Sequence, residues 1–176
     1  LLGWGTEDDT TIMSTDELVR RFDIARVGRA SAIFDERKLR WLNGRFMREL
    51  PLDDYTELVA RHLGREPDER LRAACEISQE KAQTLEEVWP LIRFVVEGPV
   101  SDEKAWSKVM EKDGAGRLLQ ASLGALSDVE PFEPEPIEEA LGRLLEAEGV
   151  KPGKLFQPIR VAISGTTVSP GIFESL

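Results

Sequence analysis

The spacing of apolar residues along the chain predicts helices in almost every segment. Apolar side chains recur three, four and seven positions apart, which is the period of one buried face of an α-helix. A clear stripe follows Asp35, a candidate helix cap, and consists of Leu39, Leu42, Phe46 and Met47. Sustained alternation of apolar and polar residues, which would indicate half-buried strands, is scarce. The pattern therefore predicts an all-α fold.

Short polar residues and glycines mark where these helices should begin and end. Ser14 and Glu17 form a capping box, in which both side chains satisfy free backbone N–H groups. Thr84 can cap a later helix, and Gly64 and Gly149 follow the last apolar residues of two others. These residues therefore predict where individual helices begin and end.

Proline-containing breaks divide the helical pattern. Gly98 and Pro99 form the clearest break, and residues 131–136 contain three prolines, which predicts a turn or a short extended link. We predict two to three small helical subdomains: a linking helical unit at 1–50, a first subdomain at 51–97 and a second, truncated subdomain at 98–176.

The two ends of the sequence suggest a piece of a longer protein. The chain begins Leu-Leu-Gly-Trp with no Met and no basic or apolar leader, so no signal peptide is predicted. It ends at Leu176, shortly after a Pro-Gly turn and an apolar pair. No apolar run approaches the roughly 20 residues that span a bilayer, so we expect no membrane partner.

Charge is distributed unevenly along the sequence. The 176 residues carry 23 Lys and Arg against 33 Asp and Glu, a net charge of −10, which on its own argues against nucleic acid. Residues 18–48, however, contain nine basic and three acidic side chains, a net of +6 that leaves −16 elsewhere. Such a segment is either a surface that faces a polyanion or an ordinary solvated helix face.

The sequence offers no persuasive catalytic or metal site. A single Cys and a single His exclude a disulfide framework, a multi-thiolate zinc site and a polyhistidine metal site. No P-loop, GxGxxG strand–helix turn, HExxH or GxSxG motif occurs. Cys75 lies in an apolar stripe and reads as a core residue, whereas His62 follows Arg61 near a helix end and reads as solvated.

Two groups of residues fit contacts with RNA. Trp41 lies among Lys38, Arg40 and Arg45, which combines an aromatic ring with cations, although a core role for Trp41 is the alternative. Arg160 stands in the apolar run 159–163 and is followed by a polar, turn-rich loop at 164–171.

Phe173 comes directly after that loop. Together with Arg160 and the small hydroxyl residues it would form a pocket for an unstacked base. The alternatives are a structural salt bridge for Arg160 and a core position for Phe173.

Three stretches in order resemble the bacterial glutamyl-tRNA synthetase family over essentially the whole chain. Residues 1–4, 14–22 and 32–44 resemble the part that follows the KMSK-type signature, and residues 81–85 resemble the first anticodon-binding helical segment. Residues 151–165 and 169–173, which read KPGKLFQPIRVAISG and SPGIF, resemble the C-terminal anticodon-binding motif.

The resemblance implies a place in a larger enzyme. In that family a class I catalytic domain activates glutamate with ATP and Mg²⁺ and joins it to tRNA, and an all-helical half grips the anticodon. This chain would be that half of a cytoplasmic, monomeric glutamate–tRNA ligase, with no cofactor of its own and no catalytic activity alone. Its partner would be the glutamate tRNA, with the glutamine tRNA left open.

The resemblance also implies a set of site residues. Those matching anticodon-binding positions are Lys81, Arg143, Arg160, Ser169, Ile172 and Phe173. Lys81 stands where some members use an arginine to recognise the last anticodon base, and an ordinary solvated lysine is the alternative reading. Within the basic segment, the residues expected on tRNA phosphates are Lys38, Arg40 and Arg45.

A different function remains open at this point. The acidic surface and the apolar ends also fit a helical protein-interaction module that binds no RNA. The two functions differ in salt dependence, because RNA binding releases counterions and an apolar groove does not.

Overall fold

A computed structural model describes residues 3–8, 10–28 and 33–176. Within these ranges every regular element is helical, which confirms the all-α prediction. The helices are α1 (Thr15–Arg21), a 3₁₀ turn (Ile24–Arg26), α2 (Glu36–Glu49), α3 (Leu52–Leu63), α4 (Glu69–Ser78), α5 (Leu85–Glu97), α6 (Glu103–Val109), α7 (Ala115–Ser127), α8 (Pro134–Glu148) and α9 (Pro152–Ser164). Parts of three stretches used in the sequence analysis lie outside the described ranges: residues 1 and 2 of 1–4, residues 29–32 of the basic segment 18–48, and residue 32 of 32–44.

The helix caps follow the local sequence. The Ser14 hydroxyl accepts the N–H of Glu17 at 3.2 Å, and the Asp35 carboxylate accepts the N–H of Lys38 at 3.0 Å. Gly64 ends α3 with a φ of 64°, a left-handed conformation that glycine adopts without strain. These positions were predictable because each depends on residues only three or four places apart.

The first hydrophobic core lies between α3, α4 and α5. Tyr55, Val59, Leu71 and Ile92 are its largest fully buried side chains, and Met47 joins them from α2. Each such side chain contributes roughly 1.5–3 kcal/mol by leaving water. Cys75 is buried in this core, which confirms the predicted core position, and its burial raises the pKa of the thiol to about 11.

The second core lies between α7, α8 and α9. Leu118, Leu141, Leu155 and Ile159 line it, and Ile172 from the segment after α9 closes it. Helix α9 also contacts α5 and α6, so it lies between the two halves of the molecule. The division at residues 50 and 97 stays a prediction.

A tight backbone crossing joins the end of α9 to the segment after α5. The N–H of Val100 donates to the carbonyl of Ser164 at 3.1 Å. The next residue, Gly165, has a φ of 76°, and a Cβ atom there would overlap the Val100 carbonyl oxygen. Only glycine fits both constraints.

The proline-rich segment departs from its prediction. Helix α8 begins at Pro134, so the predicted turn or extended link ends three residues earlier than expected. The first helical turn tolerates proline because its N–H groups have no partner within the helix. No helix within the described residues is long and apolar enough to cross a membrane.

Candidate nucleic-acid interface

A cleft of about 920 Å³ brings together three of the residues singled out in the sequence. Arg40 of α2 forms one wall, Lys81 from the α4–α5 connection forms a second, and Ser169 from the loop after α9 forms a third. Val168 and residues between 83 and 91 complete the lining. Segments far apart in sequence therefore meet at one concave surface.

Helix α2 is fastened to the cleft by polar contacts. Arg40 forms an ion pair with Glu87, 47 positions away, and the amide of Asn43 donates to the carbonyl of Gln83 at 2.6 Å. The Gln79 amide donates to the carbonyls of Met47 and Leu50, at 2.9 Å each. These contacts hold α2 against the α4–α5 connection and the first turn of α5.

Glu87 organises the first turn of α5. Its carboxylate accepts the N–H of Gln83 at 2.8 Å. That backbone hydrogen bond, followed by the ion pair with Arg40, lowers the pKa of Glu87. The Thr84 hydroxyl makes no capping hydrogen bond, although Thr84 occupies the predicted N-cap position. The Glu87 side chain thus reaches back past the start of α5 to the N–H of the residue before Thr84.

Lys81 is exposed at the rim of the cleft. Its backbone N–H donates to the carbonyl of Ser78 at 2.9 Å, which fixes the main chain. No carboxylate of the described residues lies within 4 Å of its ammonium group. The ammonium is consequently available to a ligand in the cleft.

Arg160 supports the cleft from behind Ser169. Its Nε donates to the Ser169 hydroxyl at 2.9 Å, and that hydroxyl donates in turn to the carbonyl of Pro170 at 3.0 Å. Burial lowers the pKa of Arg160, yet no ion pair joins it to a carboxylate anywhere in the described part of the chain. The structural salt bridge considered for this residue is therefore not formed there.

The two apolar residues of the loop motif anchor it to the second core. Ile172 is only 7% exposed and packs among core side chains. Phe173 is partly buried, and its ring meets that of Phe156 edge-on with centroids 5.7 Å apart. Their packing fixes the course of the loop that carries Ser169.

The remaining predicted residues do not line the cleft. Arg143 is exposed on α8 and lies 3.7 Å from Glu139 on the same helix. Arg45 pairs with Glu49 at 2.9 Å, and Lys38 is exposed in the first turn of α2. The structure thus groups Arg40, Lys81, Ser169 and, behind them, Arg160.

Trp41 is 46% exposed, so the alternative in which Trp41 is a core residue does not hold.

Glu87 is a cleft residue that the sequence analysis missed. Its position three residues after Thr84 repeats the capping-box pattern recognised at Ser14 and Glu17, and that signal could have identified it.

A family model described as "Anticodon binding domain" matches residues 54–176. The chain belongs to the anticodon-binding-domain family. The match contains Lys81, Ser169 and Arg160, whereas Arg40 precedes it. The three walls of the cleft thus come partly from the matched domain and partly from the helix before it.

The curated proteins with similar sequences are described as glutamate–tRNA ligases. The chain is 37% identical to a glutamate–tRNA ligase of Thermobifida fusca, over all of its own length and 39% of that protein. It is 39% identical to a glutamate–tRNA ligase of Mycobacterium tuberculosis, over 37% of that protein. The chain therefore spans less than two fifths of the length of the curated relatives it matches.

The fold has a solved counterpart in the same kind of protein. A glutamate tRNA ligase from Elizabethkingia meningosepticum, crystallised in complex with its amino acid, superimposes with a TM-score of 0.72 at 26% identity. The superposition covers 100% of this chain and 36% of that one. The family match and the structural match therefore point to the same kind of helical domain.

Proposed function

We propose that this chain recognises the anticodon arm of the glutamate tRNA as part of a cytoplasmic glutamate–tRNA ligase. The observation that supports the proposal most directly is the cleft, in which Lys81 and Ser169 of the anticodon-binding domain face Arg40 of α2. The glutamate–tRNA ligases to which the chain is similar supply the identity of the tRNA.

The chemistry of the cleft suits unpaired bases. Proteins read single-stranded RNA by hydrogen bonds to base edges that are splayed out of the stack. The Lys81 ammonium donates in several directions, and the Arg160 guanidinium retains donors beyond the Nε that serves Ser169. Lys38, Arg45 and Arg143 would contact phosphates or bases outside the cleft, while Ile172 and Phe173 hold the loop.

The ligation reaction itself belongs to the rest of the proposed enzyme, which would act as a monomer. Glutamate activation would use ATP and Mg²⁺ there. Among the described residues no group of three or more His, Cys, Asp or Glu side chains is placed to hold a metal ion. No catalytic step is assigned to the described residues.

The decisive experiment measures binding of a fluorescent anticodon stem–loop of the glutamate tRNA by anisotropy at several salt concentrations. The proposal predicts saturable binding whose log K falls linearly with log salt, because each neutralised phosphate releases counterions. Absence of binding at low salt would overturn it.

The same experiment separates the alternative function. The comparisons do not favour a helical protein-interaction module, since the matched family is an anticodon-binding domain. Such a module would show no affinity for the stem–loop, and its association with a partner through apolar surface would change little with salt.

A further inference from the structure

A second cavity, of about 380 Å³, collects cations in an otherwise acidic part of the chain. Lys108 of α6, Lys112 of the α6–α7 connection and Lys154 of α9 line it. Three of the seven lysines in the whole sequence thus converge on one opening. We refer to this opening as the lysine cavity.

None of these lysines is neutralised by an ion pair. Throughout the described ranges, every ion pair between side chains uses an arginine as the cation. Asp113 is the one carboxylate in the lining, so the cavity keeps a net charge of +2. Uncompensated cations held close together repel one another, and an anionic ligand relieves that repulsion.

The start of helix α7 adds to the preference for an anion. The N–H of Ala115, in the lining, donates to the Lys112 carbonyl at 3.1 Å, and the cap Gly114 offers no side chain to the N–H groups that follow. A phosphate in the cavity would accept hydrogen bonds from these N–H groups.

The cavity is next to the anticodon cleft along the chain. Thr167 lines the lysine cavity, whereas Val168 and Ser169 line the cleft. Consecutive Cα atoms lie 3.8 Å apart, so the loop after α9 forms a wall shared by both openings. A single strand that crosses this loop would place its bases in the cleft and its backbone at the lysine cavity.

We propose that the lysine cavity binds a phosphate of the RNA backbone next to the bases held in the cleft. Lys108, Lys112 and Lys154 bind that phosphate. The inference rests on the proposed function and adds a backbone contact that fixes the register of the strand.

The test compares two double variants that change net charge equally. Lys108→Gln with Lys154→Gln removes cavity lysines, while Lys104→Gln with Lys151→Gln removes exposed lysines that do not line it. The proposal predicts that only the first pair weakens binding of the glutamate anticodon stem–loop at least fivefold. It also predicts that this pair lowers the slope of log K against log salt by about 1.

Removing a negative charge from the lysine cavity should have the opposite effect to removing its lysines. Asp113→Asn removes the carboxylate from the lysine cavity and should tighten stem–loop binding by a few fold. Glu111→Gln, which removes a carboxylate that does not line the lysine cavity, should leave the affinity unchanged. Equal effects of these two variants, or of the two lysine pairs, would overturn the proposal.

Two probes identify the source of the phosphate. Stem–loops with one neutral methylphosphonate linkage, moved through the loop, should bind the wild type more weakly at one or two linkages. The Lys108 and Lys154 double variant should lose nothing further there. Binding of inorganic phosphate that depends on the cavity lysines, with stem–loop binding unaffected by them, would assign the site to free phosphate and overturn the RNA assignment.

Failure of this inference is distinguishable from failure of the proposed function. If Arg160→Ala weakens stem–loop binding and the cavity variants behave as their controls, the cleft binds RNA and the lysine cavity does not. If the wild type binds no stem–loop, both proposals are wrong.

Discussion

The Arg160 guanidinium donates through Nε to the hydroxyl of Ser169 across 2.9 Å, which ties helix α9 to the wall of the cleft. The two residues are only nine positions apart, but a turn at Gly165 is needed to bring them together. Removing either residue should therefore affect the same surface, with different severity.

Arg160→Ala should weaken binding of the glutamate anticodon stem–loop by about 1–3 kcal/mol, or roughly five- to 150-fold, if its free donors reach a base. Arg93→Ala is the matched control, because Arg93 is exposed, pairs with Glu97 and does not line the cleft. Anisotropy titrations at one salt concentration provide the measurement. Equal dissociation constants for the two variants would remove Arg160 from the site.

Ser169→Ala should cost about 1 kcal/mol of binding free energy, less than Arg160→Ala, because it removes one partner and leaves the guanidinium in place. The same titrations check this order. A larger loss for Ser169→Ala than for Arg160→Ala would contradict this order and indicate that the serine hydroxyl contributes more to RNA binding than the guanidinium does.

Lys81→Arg should sharpen discrimination between the glutamate and glutamine anticodons. A guanidinium presents a rigid fork of donors, whereas an ammonium is a compact point charge with rotatable donors. The measurement is the ratio of dissociation constants for the two stem–loops, before and after the change. An unchanged ratio would show that Lys81 does not read the base that differs.

Gly165→Ala should destabilise the fold by more than ~2 kcal/mol, since the new Cβ combines a left-handed φ with overlap on Val100. Gly124→Ala is the control: Gly124 lies in α7, has open space around it and should gain roughly 0.5–1 kcal/mol. Urea unfolding of both variants tests the pair. Similar midpoints for Gly165→Ala and the wild type would contradict the crossing described.

Glu87→Gln should change how stability depends on pH. The pKa of Glu87 is lowered in the folded state, so its contribution is present above the ordinary value of 4.5 and is lost as the pH falls below it. The variant should be less stable than the wild type at pH 7, and the difference should vanish at low pH. Glu86→Gln, which removes an exposed carboxylate without a hydrogen bond or ion pair to the described residues, should show no such convergence.

Sequence alone predicted those features that depend on neighbouring residues. The caps at Ser14 and Asp35 and the left-handed end at Gly64 each rest on contacts within a few positions. The start of α8 at Pro134 was mispredicted because proline breaks a helix interior but not its first turn. The rule that proline does not fit a helix interior holds here, but it was applied to residues that form the first turn of α8.

The cleft could not be derived in the same way. Its walls meet because Arg40 pairs with Glu87 across 47 positions and because α9 packs against α5. The spacing of apolar residues predicts the helices but neither of these long-range contacts. The resemblance supplied Lys81, Ser169 and Arg160 one residue at a time, and the fold places the first two on one surface with Arg160 directly behind.

The most direct test of anticodon recognition compares two stem–loops that differ only in their anticodon bases. One carries the glutamate anticodon and the other an unrelated anticodon, and both are titrated with the wild-type chain at the same salt concentration. The proposed function predicts tighter binding of the glutamate stem–loop and loss of that preference in Arg160→Ala. Equal affinity for the two stem–loops in the wild type would contradict it.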